Sequence, residues 1–203
     1  MVLQVFLIGL IFSFVGSIPP GTLNILVLQL GLENKVRTAL RFALAVAIVE
    51  YPYTWIAVVF EDWITSSPII AQNFQLTGAL VMTSIGLLNV WSARKPSKFS
   101  IRFQDSGFRR GFILSLLNPQ AIPFWIVVTA YLKHEGWIDL STQFRVHSYV
   151  FGTSVGVMIL LTILAVMSQK VSASFQRNKL IRIFPGVILL VLGFAGLIKY
   201  FIA

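Results

Sequence analysis

From Val2 to Leu30 the sequence contains no charged side chain, yet Pro19, Pro20 and Gly21 interrupt the middle of this apolar stretch. A membrane offers no water to pair with backbone N–H and C=O groups. A helix-breaking segment at that depth therefore survives only where protein buries it or where it lines a cavity. We expect this first span to be broken near its centre, at a buried or cavity-lining site.

The composition identifies an integral membrane protein. Only 11% of the 203 residues are charged, whereas soluble domains carry about 25%, and the mean hydropathy is +0.84. Residues 1–203 are predicted to form a single transmembrane domain, and the apolar N-terminus to be retained as a span rather than removed as a signal peptide. The absence of cysteine and the presence of only two histidines predict no metal site and no cofactor.

Six segments satisfy the requirement of about 20 predominantly apolar residues per span: roughly 2–30, 39–60, 69–91, 111–132, 146–168 and 183–202. Most of the 16 Lys and Arg residues lie at the loops after spans one, three and five. The opposite side holds Glu61, Asp62, Glu135 and Asp139. The positive-inside rule then places both termini outside the cytoplasm. The net charge of +9 is a topology signal, and no nucleic-acid partner is predicted.

The spans divide into two halves of three, about 1–92 and 107–203. Aligning "SIPPGTLNIL" with "LLNPQAIPFW" places Pro20 on Pro119, and in each half glycines mark the third span. The second span of each half carries small residues at a spacing of four: Ala39, Ala43 and Ala47, then Ser148, Gly152 and Gly156. These faces can pack within one chain or between two chains of a homodimer. The prediction is an all-α fold of two inverted three-helix repeats with broken helices in spans one and four, an arrangement typical of secondary transporters.

The two breaks are predicted to begin new helices near the membrane centre. Asn118 is a good N-cap and Pro119 suits the first helical position, and the segment from Ser17 to Pro20 can act in the same way. Unpaired N–H groups at such helix starts carry the positive end of the dipole and suit a carboxylate. Taken singly, each break could instead be a tolerated kink. The residues predicted to line the site are Pro19, Pro20, Gly21, Asn24, Asn118, Pro119 and Gln120.

Glu50 is the only charged residue well inside a predicted span, at a cost of about 2.5–3.5 kcal/mol on insertion scales. A helical wheel places it on the small-residue face of Ala39, Ala43 and Ala47, so it points into the bundle. Burial favours the neutral carboxyl, which suits proton coupling or pairing with a substrate ammonium. Tyr53 is predicted to contribute a hydroxyl to the same site. The alternative is a permanently protonated acid that is hydrogen-bonded to a neighbour.

Two further residues have competing interpretations. His147, near the outer end of span five, can relay protons or simply be solvated. Trp125 lies a turn or two past Pro119, where it can line the site, unlike the tryptophans that fit interface anchors. No nucleotide-binding loop and no hydrolase or metalloprotease motif is present, so the chain is not predicted to be an enzyme.

The stretch "GSIPPGTLNILVLQLGLENKVRTALRFALAVAIVE" resembles the opening of the LysE/RhtB family of amino-acid exporters, and "RRGFILSLLNPQAIPFWIVV" resembles the family's Asn-Pro segment in span four. The resemblance runs over essentially the whole chain. It implies a six-span exporter of amino acids or related small metabolites in the bacterial inner membrane, driven by the proton motive force. Carried over by position, Pro19, Pro20, Gly21, Asn118 and Pro119 would build the central site.

The sequence departs from the family pattern at three places, which leaves the substrate open. It reads Pro-Pro-Gly instead of Pro-Gly-Pro, has alanines for second-span glycines, and has Gln120 where lysine is usual. We expect a proton-coupled exporter of a small zwitterion, with protons and the lipid bilayer as its other partners. The alternatives are a cation exporter that uses Glu50, Asn24 and Asn118 as oxygen ligands, and a non-transporting assembly or lipid-handling protein.

Overall fold

The computed structural model describes residues 1–18, 21–65, 107–118 and 121–168, with isolated helical positions between 76 and 87 and between 187 and 201. Over these residues the chain is helical and contains no strand. The predicted spans 69–91 and 183–202 fall largely outside the described residues. The described ranges contain six helices: α1 (Val2–Ser17), α2 (Thr22–Leu32), α3 (Val36–Thr65), α4 (Gly107–Leu116), α5 (Ala121–His134) and α6 (Gln143–Val166).

Two of the predicted spans consist of two helices each. The axes of α1 and α2 are bent by 76° and those of α4 and α5 by 67°, whereas α3 and α6 are each long and apolar enough to cross a membrane alone. With each bent pair taken as one span, the described residues contain up to four spans. The expected breaks in spans one and four are confirmed, and the protein is a multi-pass helical membrane protein.

The close approach of α1 to α6 depends on glycines. A Cβ added at Gly152 would collide with the carbonyl oxygen of Phe6, and one added at Gly156 would collide with that of Leu10. Gly9 in α1 meets the backbone of Tyr149 in the same way. Small residues let membrane helices approach until their backbones touch, which maximises van der Waals contact. The predicted small-residue face of span five therefore packs within the chain.

The close approach of α4 to α3 also depends on glycines, which here lie in α4. An added Cβ at Gly107 would collide with the backbone of Thr38, and one at Gly111 with the backbone of Phe42. The first helix of each half thus packs against the second span of the other half. The long helices α3 and α6 also pack together, and buried Ala39 and Ala43 lie in the core that they share with α2.

We expect Gly152→Val to destabilise the fold, because its side chain has no room against the Phe6 backbone. Overpacking of this kind costs about 1–3 kcal/mol and sometimes more, so the apparent melting temperature in detergent should fall clearly below that of the wild type. Ile159→Val, which places the same side chain at a position of α6 that is 39% exposed, should change it little. An equal effect of both variants would contradict the packing described here.

Candidate substrate and coupling site

Glu50 points from α3 toward the second helix of broken span four, and this confirms the expected inward orientation. The indole N–H of Trp125 donates a hydrogen bond to Oε1 of Glu50. Trp125 is fully buried, with its ring edge-on to Phe124 at 5.2 Å between centroids and edge-on to Tyr149 at 6.3 Å. The carboxyl group therefore has a partner that is fixed in position by aromatic packing.

One turn of α3 contacts both halves of broken span four. Glu50 binds Trp125 in α5, and the hydroxyl of Tyr53 donates to the carbonyl oxygen of Leu116, the last residue of α4, at 2.5 Å. The last carbonyls of a helix have no partner within the helix, so a side-chain donor here stabilises the helix end. The backbone N–H of Asn118 donates to Ser115 at 3.0 Å. Pro119 and Gln120 lie outside the described residues.

The first break is bridged by a side chain as well. Asn24 is buried and donates through Nδ2 to the carbonyl oxygen of Ser17 at 2.6 Å, which links α2 to the end of α1. Gly21 is the N-cap of α2 with extended backbone (φ −80°, ψ 177°), and no side chain caps this helix start. The extended backbone of Gly21 places the first residue of α2 at Thr22, directly after the segment in which the sequence predicts a new helix to begin. Pro19 and Pro20 themselves lie outside the described residues.

A close contact links the end of α1 to the first turn of α5. Gly16, one residue before the end of α1, faces the ring of Phe124 so closely that an added Cβ would lie 2.8 Å from Cζ. Phe124 is the neighbour of Trp125 in the first turn of α5, and Trp125 binds Glu50. The end of α1, the start of α5 and the Glu50 carboxyl therefore surround one region of the protein.

The comparison with known families agrees with this architecture. The family profile described as LysE type translocator matches residues 14–199, a range that includes both breaks. The chain belongs to the LysE-type translocator family. No curated protein and no solved structure matches the chain. The resemblance inferred from the Pro-Pro-Gly and Asn-Pro segments is thereby confirmed, and the protein is a translocator that works in a lipid bilayer on a small-molecule substrate.

The structure of this translocator also reveals a second buried acid, which the sequence had assigned to an outer loop. Because α3 extends to Thr65, Glu61 lies within the helix and is only 2% exposed. Its Oε2 is 2.7 Å from Nζ of Lys133, which also contacts Asp62. The signal in the sequence is the spacing of eleven residues from Glu50, which puts both acids on one helix face.

His147 has a defined partner in the translocator. Its Nδ1 lies 2.7 Å from the hydroxyl of Tyr51, and the two rings stack with 6.2 Å between centroids. The residue before Pro52 and the residue after it thus contact different neighbours: Tyr51 binds α6, and Tyr53 binds α4. Among the described residues, no group of three or more His, Cys, Asp or Glu side chains is placed to hold a metal ion.

We expect Glu50→Leu to lower the stability of the translocator by about 1–3 kcal/mol, because it leaves the buried indole N–H of Trp125 without an acceptor. Glu50→Gln retains a carbonyl acceptor and should lower the stability less than Glu50→Leu does. Unfolding followed by circular dichroism in detergent measures both variants.

The control for this comparison is the Trp125→Phe variant, because a phenylalanine ring has no N–H group that needs an acceptor. In this background Glu50→Leu should lower the stability distinctly less than in the wild type, since the effects of mutations at interacting residues are not additive. If Glu50→Leu lowers the stability equally in both backgrounds, the hydrogen bond does not stabilise this site.

Proposed function

We propose that this translocator is a secondary active exporter of amino acids or related small zwitterions, driven by the proton gradient across the bacterial inner membrane. The observation that carries the proposal is the position of Glu50. A titratable carboxyl group in a membrane span is costly and is typical of proton or substrate pathways. Here it lies beside the break in span four, with the first break adjacent through Gly16 and Phe124.

An inverted repeat about residues 1–92 and 107–203 accounts for the exchanged packing of the helices. The pairing of α1 with α6 has its counterpart in the pairing of α4 with α3, and each pairing depends on glycine contacts. Under a two-fold relation between the halves, these two pairings are equivalent. In this arrangement both termini lie outside the cytoplasm, and the two broken spans meet near the midplane as in other transporters of this architecture.

The substrate carboxylate binds at the helix starts in the two breaks. The start of α2 has Gly21 as its N-cap and no side-chain cap, and its first residues, Thr22 and Leu23, offer backbone N–H donors to an anion. The start of α5 approaches from the other half of the bundle. Both helix dipoles then present their positive ends to the same region. The residues that line it are Pro19, Pro20, Gly21, Asn24, Asn118, Pro119 and Gln120, with Tyr53 holding the end of α4.

Glu50 couples the substrate to the proton. In its ionised form the carboxylate attracts the substrate ammonium, and in its protonated form it does not, so one site holds either the ammonium or the proton. Binding of a proton from outside releases the substrate there, and loss of the proton to the cytoplasm restores the substrate-binding form. This exchange drives export, since protons run inward while the zwitterion runs outward.

The direct test is efflux from proteoliposomes that are preloaded with single amino acids, under an imposed pH gradient. Wild type should export at least one amino acid faster with the gradient than without it. Coupling free energies of typical size correspond to about 5–150-fold effects, so Glu50→Gln should reduce the gradient-stimulated rate by at least about fivefold. Glu135→Gln, the same change at an exposed acid, should behave like wild type.

Two results would contradict the proposal in different ways. If Glu50→Gln responds to the gradient as wild type does, the coupling residue lies elsewhere in the translocator. If wild type moves no amino acid under any gradient, the cargo class is wrong. Metal cations, loaded into the same vesicles, then test the cation-export alternative.

A further inference from the structure

One face of α3 carries a line of buried residues that runs from Glu50 toward the outer end of the helix. At about 100° per residue, Glu50, Thr54, Ala57 and Glu61 lie within about 60° of one another. Thr54 and Ala57 are fully buried and Glu61 is 2% exposed. Between the two carboxyl groups, this face of α3 presents a hydroxyl and a small side chain.

Facing helices add further hydroxyl groups along this face. The hydroxyl oxygens of Thr54 and Thr153 lie 3.2 Å apart, and so do those of Tyr149 and Thr129. All four residues are fully buried. Tyr149 belongs to the same packed cluster as Ala57 and Val58 of α3. Buried hydroxyls therefore occupy the region between the two acids, contributed by α3, α5 and α6.

The outer end of this line reaches an open cavity. Glu61 contacts Nζ of Lys133, and Lys133 and Asp62 line a cavity of about 590 Å³ between the ends of α3, α5 and α6. Two carboxylates share one ammonium here, so the group carries a net charge of −1 and one added proton neutralises it. A salt bridge that only joined the ends of α3 and α5 would need just Lys133 and the exposed Asp62. It would not need a second acid in the core.

Asp139, the other charged residue that lines the cavity, is already paired. Asp139 binds Arg145, and the backbone N–H of Ser141, followed by its hydroxyl and Arg145, holds the pKa of the Asp139 carboxyl below its usual value. Asp139 is also exposed, whereas Glu61 lies in the core. Glu61 lies behind Lys133, which lines the cavity and contacts its carboxylate.

We propose that Glu61 is a second proton-binding carboxylate, which takes up protons from the outer cavity and exchanges them with Glu50 along the Thr54 face of α3. A proton binds a Glu61 oxygen, and each hydroxyl on the way accepts a proton on its oxygen and releases its own to the next acceptor. Water fills the intervals that exceed hydrogen-bond length. The proton ends on the Glu50 carboxylate, and Glu61 returns to its ionised form. This inference rests on the proposed function.

The experiment separates net export from exchange in proteoliposomes. Gradient-driven export requires protons to reach Glu50 from outside, whereas counterflow of labelled against unlabelled amino acid requires only substrate binding and the conformational change. Glu61→Gln should therefore reduce gradient-driven export by at least about fivefold and leave counterflow within about twofold of wild type. Glu61→Asp, which restores an acid, should recover gradient-driven export, and Glu135→Gln should alter neither rate.

Each other outcome overturns the inference. If Glu61→Gln lowers export and counterflow together and Glu61→Asp does not restore export, Glu61 serves the fold through Lys133 and carries no proton. If Glu61→Gln exports as wild type does, protons reach Glu50 by another path. If the proposed function is wrong, wild type itself shows no gradient-driven export, and this result differs from both results above.

Discussion

The structure depends on one constraint, which is that a helix broken inside a membrane leaves backbone groups that water cannot reach. This protein meets the constraint with side chains from neighbouring elements. Asn24 binds the carbonyl at the end of α1, and Tyr53 binds the carbonyl at the end of α4. Both partners come from packed helices, so the helix end that precedes each break is held by the surrounding bundle.

The position of the Glu50 carboxyl group follows from the same helix contacts. It lies on α3 one turn from Tyr53, so the helix that stabilises the end of α4 also binds Trp125 at the start of α5. A change at Glu50 that alters its hydrogen bond to Trp125 acts on α5, while Tyr53 still binds the end of α4. The two helices of broken span four are thus held by different side chains of α3.

Much of this architecture could be predicted from the sequence. The broken spans followed from Pro-Pro-Gly and Asn-Pro within apolar runs, and the inward direction of Glu50 followed from its phase with Ala39, Ala43 and Ala47. The indole partner of Glu50 could not be predicted, because periodicity gives the face of a residue and not its neighbour on another helix. The burial of Glu61 was missed because Glu61 and Asp62 together resemble a polar loop, and only the extension of α3 to Thr65 shows otherwise.

The exchange of proton and substrate at Glu50 is tested most directly by the protonation state of Glu50 before and after substrate binds. Infrared difference spectra, recorded on wild type and on Glu50→Gln with the amino acid that the efflux assay identifies, resolve the C=O stretch of a protonated carboxyl group. If Glu50 exchanges its proton for the substrate, substrate removes such a band in wild type, and this change is missing in Glu50→Gln. A substrate-induced spectrum with no carboxyl band, or with the same band in both proteins, would contradict the exchange of proton and substrate at Glu50.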